Sequence, residues 1–355
     1  MLKNYLKTAF RNLLKNKAFT FIHVIGLSVG ITSILLILFY VQYERSYEAM
    51  HEKAGNIFRI SLDLYNGNEF TENDTETYQT FGPEFKETMP EVLDYVRFFN
   101  VGKMEVKAVS NETKGFVDKI YFADPSVFNV FSTKVLDDRN IKKFEQPSKL
   151  VISQKMALKY FGKSEVLGEI MKLGSYNDPF EIVGVMENLP QNTHLKYDML
   201  ISHATLPALL TWYVENEWTA NNEYTYLLMA DGTRVEDFNQ KLMAYSKGNE
   251  KLRDVIVISE NIQDIHLYSN KTFEPEVNGS AQTVNFMLTI GGFIMLLAWI
   301  NYINLSTAKA MERAKEVGIR KAIGSSKSQL IWQFYCEAFL VNFLACIFAV
   351  ILFQL

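Results

Sequence analysis

The chain has 355 residues, 36 of them Lys or Arg against 40 Asp or Glu, for a net charge of −4, and 48% are hydrophobic. Phe19–Val41 and Val284–Ile303 carry no Asp, Glu, Lys or Arg, and Leu330–Leu355 carries Glu337 alone. Three such runs exclude a wholly water-soluble chain, because about 20 apolar residues are enough to cross the hydrocarbon core of a bilayer.

In chain order, residues 1–17 read as a cytoplasmic amphipathic helix. Leu2, Tyr5, Leu6, Ala9, Phe10, Leu13 and Leu14 recur at i, i+3 and i+4, and Lys3, Lys7, Arg11 and Lys15 form a second stripe suited to anionic headgroups. Residues 18–42 read as the first transmembrane helix. It is an uncleaved anchor, since Gln42-Tyr43-Glu44-Arg45 offers no small-residue cleavage site. Residues 43–282 carry 25 basic and 37 acidic residues. Residues 283–305 read as a second span, 306–329 as a cytoplasmic coupling loop and helix, and 330–355 as a third span. Residues 1–18 have five basic residues and no acid, and 304–329 have six basic against two acidic. Short basic segments stay in the cytosol, so the acidic 43–282 is expected outside. That acidity also argues against nucleic acid as a partner. Both cysteines, Cys336 and Cys346, lie in the third run, so the outer domain has no disulfide framework.

The outer domain alternates strands and helices, which favours βαβ-like layers in an α+β fold. Phe58, Ile60, Leu62 and Leu64 alternate with Arg59, Ser61 and Asp63, the period of a half-buried strand. Tyr78–Met89 reads as a helix stopped by Pro90, and Val92–Phe99 as a strand. Leu150–Ser153 is a short strand leading into a helix over Gln154–Phe161 that Gly162 closes. Phe180–Met186, Tyr224–Met229 and Leu252–Ser259 are further strands. Thr233-x-x-Glu236 has the spacing of a capping box for a helix lined by Val235, Phe238, Leu242 and Tyr245. The stretch 100–150 is strand-rich, and a second subdomain is expected to be inserted there. In the inner loop, Ser306–Ala322 continues the second span with Lys309/Arg313 and Glu316/Arg320 at i, i+4. Gly324 breaks it, and Ser326-x-x-Gln329 caps the third span.

No catalytic set emerges. Gly162-Lys163-Ser164 ends like a phosphate loop, but Ala157 stands where the first glycine would be needed. His51-Glu52 opens like a zinc motif, but Gly55 stands at the second ligand position. His23, His51, His194, His203 and His266 are scattered, so no metal or other cofactor is expected. Glu337 lies about two turns inside the third span, where an ionisable group is a functional candidate. Its plainer reading is a carboxylate reaching the basic loop. His23 reads as interfacial, and Asn301 and Asn304, ending the second span, are expected to hydrogen-bond between helices.

Ala314-Lys315-Glu316-Val317-Gly318-Ile319-Arg320-Lys321-Ala322-Ile323-Gly324 resembles the "R-x-E-I-G-x-R-x-A-x-G" signature of the FtsX-like permeases, the membrane subunits of MacB-type ABC transporters. Gln333-Phe334 and Glu337-Ala338 resemble the "Q-F-L-x-E" that opens the family's next span. Arg11-Asn12-Leu13-Leu14-Lys15-Asn16-Lys17 resembles the opening "R-N-L-x-R-N-K". Val151-Ile152-Ser153, Phe161-Gly162 and Gly184-Val185 through Pro190 stand where the MacB periplasmic core domain has "V-I-S", "F-G" and "G-V-x-x-x-x-P". The resemblance implies a permease subunit without its own ATPase site in the bacterial inner membrane. Such a subunit couples hydrolysis by a cytoplasmic ABC ATPase to movement of its outer domain, in efflux, export or mechanotransmission. It implies that Lys315, Glu316, Arg320 and Lys321 meet that ATPase while Gly318 and Gly324 allow close packing and a turn. A homodimer or pseudo-dimer and a periplasmic adaptor are further implied partners. The family has four or eight spans, so a chain that stops in its third reads as truncated. A membrane-anchored extracytoplasmic sensor is the alternative, and a tethered hydrolase is disfavoured by the missing nucleophile and base.

Overall fold

A computed structural model describes residues 2–354 except 16, 118, 175, 216 and 219; the side chains of 2–4, 176–178, 309–313, 315 and 316 also lie outside the described residues. The chain divides into two compact units, Met1–Arg45 with Ala281–Leu355, and Ser46–Ser280.

The membrane unit opens with α1 (Leu2–Lys15) and α2 (Lys17–Glu44). One face of α1 is buried through Ala9 and Leu13, while Phe10 and Leu14 of the same apolar stripe stay exposed. α2 is apolar on every face, which suits a helix solvated by lipid.

In the other unit, β1 (Ile57–Asn66) is followed by β2 (Glu69–Asp74) and β3 (Thr77–Tyr78). α3 (Phe81–Thr88) puts Phe81 and Phe85, one turn apart, into the core and stops ahead of Pro90, whose ring disfavours helix in the residue before it. β4 (Val92–Asn100), β5 (Met104–Ala108), β6 (Lys114–Val117), β7 (Ile120–Ala123), the single turn α4 (Val127–Val130) and β8 (Val135–Asp137) come next. β9 (Lys149–Ser153) enters α5 (Gln154–Phe161) through Ser153, whose Oγ accepts from the Met156 amide at 3.3 Å. After β10 (Ile170–Leu173), β11 (Tyr176–Met186), β12 (Met199–Ser202) and the short helices α6 (Leu206–Leu209) and α7 (Thr211–Glu215) come β13 (Asn221–Met229), α8 (Val235–Gly248), β14 (Val255–Asn261) and α9 (Ile262–Tyr268).

Among the described residues, fourteen strands join one mixed sheet in the order β14-β1-β13-β4-β7-β12-β9-β11-β10-β5-β6, with β2, β3 and β8 pairing β1, β13 and β11. β9 with β11 and β7 with β12 run parallel, and the crossover from β9 to β11 carries α5. β4 and β13 are neighbours, so everything from 101 to 220 is an insertion that widens the sheet. It is longer than the 100–150 read from sequence because β9, β11 and β12 interleave with β7 in space. α3 and α8 cover one end of one face, with Phe85 and Leu242 packed in one core with Phe58, Leu62 and Val257 of the sheet. The inserted half has its own core of Val106, Ile152 and Tyr160 under α5, and Phe98, Phe131, Tyr226 and Ile262 pack on the opposite face.

Two local expectations fail. Arg59 and Ser61 are fully buried instead of facing water, because the second face of β1 is covered as well. Thr233 does not cap α8: its hydroxyl donates to the Ala230 carbonyl at 2.8 Å, and Arg234 takes the cap position with no side-chain bond. The hydroxyl closes the preceding turn instead, a competition open to any Ser or Thr near a helix start.

α10 (Ala281–Ala322) is one unbroken helix of 42 residues, and α11 (Lys327–Gln354) follows after four residues. At 1.5 Å per residue α10 is about 63 Å long, roughly twice the hydrocarbon thickness, so it both crosses a bilayer and projects beyond it. Gly30 lets α2 approach α10 closely, since a Cβ there would lie 3.0 Å from that of Ala298. Ser28 Oγ and Thr32 Oγ1 reach the Ala345 and Ala349 carbonyls of α11 at 3.1 and 3.3 Å. The outside of this unit carries Phe21, Leu36, Phe293, Trp299, Phe339 and Phe343, all exposed. Such a surface is stable against lipid and aggregation-prone in water.

Candidate functional site

The junction of α10 and α11 is a tight, doubly capped elbow. Gly324 adopts φ +100°, the left-handed region, and the Ser325 and Gly324 amides donate back to the Arg320 and Lys321 carbonyls at 3.0 and 3.1 Å. That is the Schellman arrangement, which satisfies the last carbonyls of a helix and needs glycine at this position. Ser326 and Gln329 then form a reciprocal capping box. The Ser326 amide donates to Gln329 Oε1 at 3.1 Å and the Gln329 amide to Ser326 Oγ at 3.4 Å. Across the turn, Arg320 Nη1 donates to Gln333 Oε1 at 2.6 Å. Arg320 therefore braces the elbow, whereas Lys321 is exposed. Ile319 and Ile323, 54% and 80% exposed, flank it one turn apart. Gly318 is also exposed, and no described residue lies within 4 Å of where a Cβ would stand. The side chains of Lys315 and Glu316 lie outside the described residues, as do those of Lys309 and Arg313.

The polar residues of the spans separate into two groups. Glu337 is buried and accepts from Asn12 Nδ2 of α1 at 3.0 Å. His23 is buried between the rings of Phe19 and Tyr302. Asn301 and Asn304 are exposed and make no interhelical hydrogen bond among the described residues. Asn301 lies over Gly26 of α2, its Nδ2 3.2 Å from where a Cβ would be, and finds no polar group there.

In the sheet unit, the segments that lead from α2 and into α10 are both fastened by buried charge. Just after α2, Glu48 is fully buried in the left-handed region at φ 61°. Its Oε1 accepts from the His194 amide and faces His194 Nδ1, at 2.6 and 2.9 Å. Its Oε2 accepts from Thr193 Oγ1 at 3.1 Å and lies 3.1 Å from His51 Nε2. Burial alone would raise the pKa of Glu48, but His194 and then His51 outweigh it and hold the carboxyl well below the usual range. Tyr47 stacks on His266 of α9. In the strap 269–280 that precedes α10, Glu274 receives both Nη atoms of Arg59 at 2.5 and 2.8 Å, and Arg59 also donates to Glu260 and Ser269. Glu276 pairs with Lys119 and Lys196, and Lys271 with Glu260. The five histidines are thus all buried, and two that are 143 positions apart in sequence share one carboxylate. No group of three metal-binding side chains occurs among the described residues. None of these fasteners was singled out from sequence. The one available signal was Arg59 in the middle of an apolar strand.

Residues 20–245, well over half of the chain, match the MacB-like periplasmic core domain. The chain belongs to the MacB/FtsX-type permeases. Residues 288–355 of this permease match the FtsX-like permease C-terminal family. The permease is 24% identical over 349 residues to the macrolide export ATP-binding/permease protein MacB of Escherichia coli O6:K15:H31, covering 95% of this chain and 50% of the relative. It therefore spans about half the length of that relative. Among solved structures it is similar to a permease domain from Porphyromonas gingivalis, 17% identical, covering 59% of this chain and 92% of the other with a TM-score of 0.49. It is also similar to the periplasmic region of MacB from Actinobacillus actinomycetemcomitans, 13% identical, covering 60% and 91% with a TM-score of 0.43. The permease is a helical membrane protein with a large α+β extracytoplasmic domain and, among the described residues, three helices long and apolar enough to span a bilayer.

Proposed function

We propose that this permease works in the bacterial inner membrane as the transmission arm of an ABC transporter, with its N-terminus and elbow cytoplasmic and residues 43–282 periplasmic. In this reading a separate ABC ATPase docks at the elbow, and its closure is relayed along α10 to the outer domain. The permease supplies no ATPase site of its own. The observation that carries the reading is the continuity of α10. It is 42 residues long without a break, closed at one end by a doubly capped turn and preceded at the other by a strap tied to the buried Arg59. A helix that long and unbroken transmits displacement instead of absorbing it in a hinge. Exposed Lys321 with Ile319 and Ile323 offers the ATPase a charge beside an apolar surface. A second permease copy and a periplasmic adaptor belong to the same proposal.

The test is ATPase activity of a co-purified complex. Lys321→Glu should lower stimulated turnover while leaving membrane insertion unchanged. Lys321 is preferred to Arg320 because Arg320 also holds Gln333, so its replacement would disturb the elbow itself. Unchanged turnover in Lys321→Glu and in Ile323→Asp would remove the elbow as the docking site.

A further inference from the structure

We propose that the sheet unit rests on the bilayer through Tyr268, Phe273 and Val277, with the headgroup–acyl boundary of the membrane that α10 enters as their partner. Both chain connections to the spans meet at His266, in α9. Tyr47, three residues after the end of α2, stacks on the His266 ring. The Gly279 amide, two residues before the start of α10, donates to His266 Nδ1 at 3.4 Å. Beside it, Asn278 Nδ2 donates to the Ser269 carbonyl at 3.2 Å, so the end of α9 is bonded to the segment that leads into the span. An extended chain covers at most about 3.6 Å per residue, which keeps Val277 within about 14 Å of Ala281, the first residue of α10. Nearness to the membrane therefore follows from the covalent chain.

The surface of this segment is the reverse of a loop that faces water. Of residues 268–280, Tyr268, Asn270, Phe273 and Val277 alone are exposed, the three apolar ones at 70%, 62% and 94%. Every charged side chain of the segment meets a partner instead: Lys271 pairs with Glu260, Glu274 with Arg59, and Glu276 with Lys119 and Lys196. A single exposed apolar residue is ordinary, but apolar groups turned out while all the charges are turned in mark a contact surface. Phe273 adds a second sign. It holds φ 57°, a conformation rare for a bulky side chain, and the Thr75 hydroxyl donates to its carbonyl at 2.7 Å. The backbone is thus pinned in a strained state that leaves the ring outside.

Aromatic rings with apolar bodies settle at the headgroup level of a bilayer, and this is the surface that the chain brings closest. Glu274 and Glu276, each against a cation, present little net charge to anionic headgroups. The inference needs membrane insertion alone and holds in either orientation, so it is independent of the docking site proposed at the elbow.

The test uses the full chain, lacking Cys336 and Cys346, in phosphatidylcholine nanodiscs. A nitrobenzoxadiazole label is placed on Val277→Cys, on Tyr268→Cys and, as a control, on Ser110→Cys at an exposed position of the inserted half. Each is quenched by iodide from the water and by 5-doxyl or 12-doxyl lipid from the bilayer. At 277 and 268 the label should lie about 5–10 Å into the boundary, with 5-doxyl quenching above 12-doxyl and iodide quenching at least about threefold weaker than at 110. Iodide quenching equal to that at 110, with none by doxyl lipid, would put these side chains in water and overturn the proposal. Shielding from iodide without doxyl quenching would mean that protein covers them, such as a second copy, and would also overturn it. So would stronger quenching by 12-doxyl than by 5-doxyl lipid, the mark of insertion into the hydrocarbon core.

Discussion

Partly and fully buried carboxylates of the outer domain are shifted in opposite directions, depending on whether their partners outweigh burial. Glu48 sits in a left-handed conformation that costs a non-glycine residue roughly 1–2 kcal/mol, and it is held there by four groups that converge on its carboxylate. At Asp74 the Glu76 amide and Asn221 donate to the carboxylate, and Tyr224 donates to that of Glu76, but these bonds do not outweigh burial. Burial, and for Glu76 the adjacent Asp74, pushes them up to about 6 and about 7. The two sets therefore respond oppositely to pH. Glu48 contributes stability that is full above its ordinary value of 4.5 and is lost as pH falls through its lower folded value. Glu76 binds a proton more tightly folded than unfolded, so its contribution is full below 4.5 and is lost as pH rises towards about 7. Glu76→Gln should accordingly raise the melting temperature at pH 8 relative to the unaltered chain and leave it unchanged at pH 4; equal shifts at both values would show that Glu76 is not responsible. At Arg59 the issue is pairing and not titration. Glu274→Gln removes one of the two carboxylates facing a fully buried guanidinium, and denaturant unfolding should show a loss of about 1–3 kcal/mol. It should also speed proteolysis within 269–280, the segment that Glu274 ties down.

The α10–α11 elbow rests on two motifs in adjacent residues. Gly324→Ala places a Cβ in the left-handed region and should cost roughly 1–2 kcal/mol. Ser326→Ala removes the cap of α11 at a cost of about 1 kcal/mol. Both should lower the midpoint of thermal loss of helix in detergent, whereas Lys321→Glu, at an exposed position, should not. The motifs also differ in how they could be read. Ser326-x-x-Gln329 forms the box its spacing announces, while Thr233-x-x-Glu236 has the same spacing and forms none. A capping motif offers a hydrogen bond, and the preceding turn decides whether the hydroxyl is already engaged. Likewise Gly26 and Gly30 are four apart on α2, a spacing visible in the chain, but that α10 is the helix they admit is a property of the packed unit.

For the whole molecule, the proposed orientation rests on charge and can be checked directly. In a background lacking Cys336 and Cys346, a cysteine at Ser110 should react with an impermeant maleimide in intact spheroplasts, and one at Lys327 only after permeabilisation. The reverse pattern would invert the proposed topology and place the elbow on the wrong side for an ATPase. The same charge argument explains how the chain is divided: the apolar runs cluster in one compact unit, and the acidic 46–280 forms the other.

Local order in the sequence was enough for the three spans, the continuation of the second into a basic helix, the break at Gly324 and most strands and helices of the outer domain. Each depends on hydrophobic period, charge or turn chemistry within about 20 residues, and those act before tertiary structure forms. What only the tertiary structure decided are the pairings across long separations. Arg59 meets Glu274, His51 and His194 meet at Glu48, Asn12 meets Glu337, and β4 pairs with β13 across a 120-residue insertion. A buried charge carries no local mark of its partner, because the need for that partner arises only when the fold removes water from both.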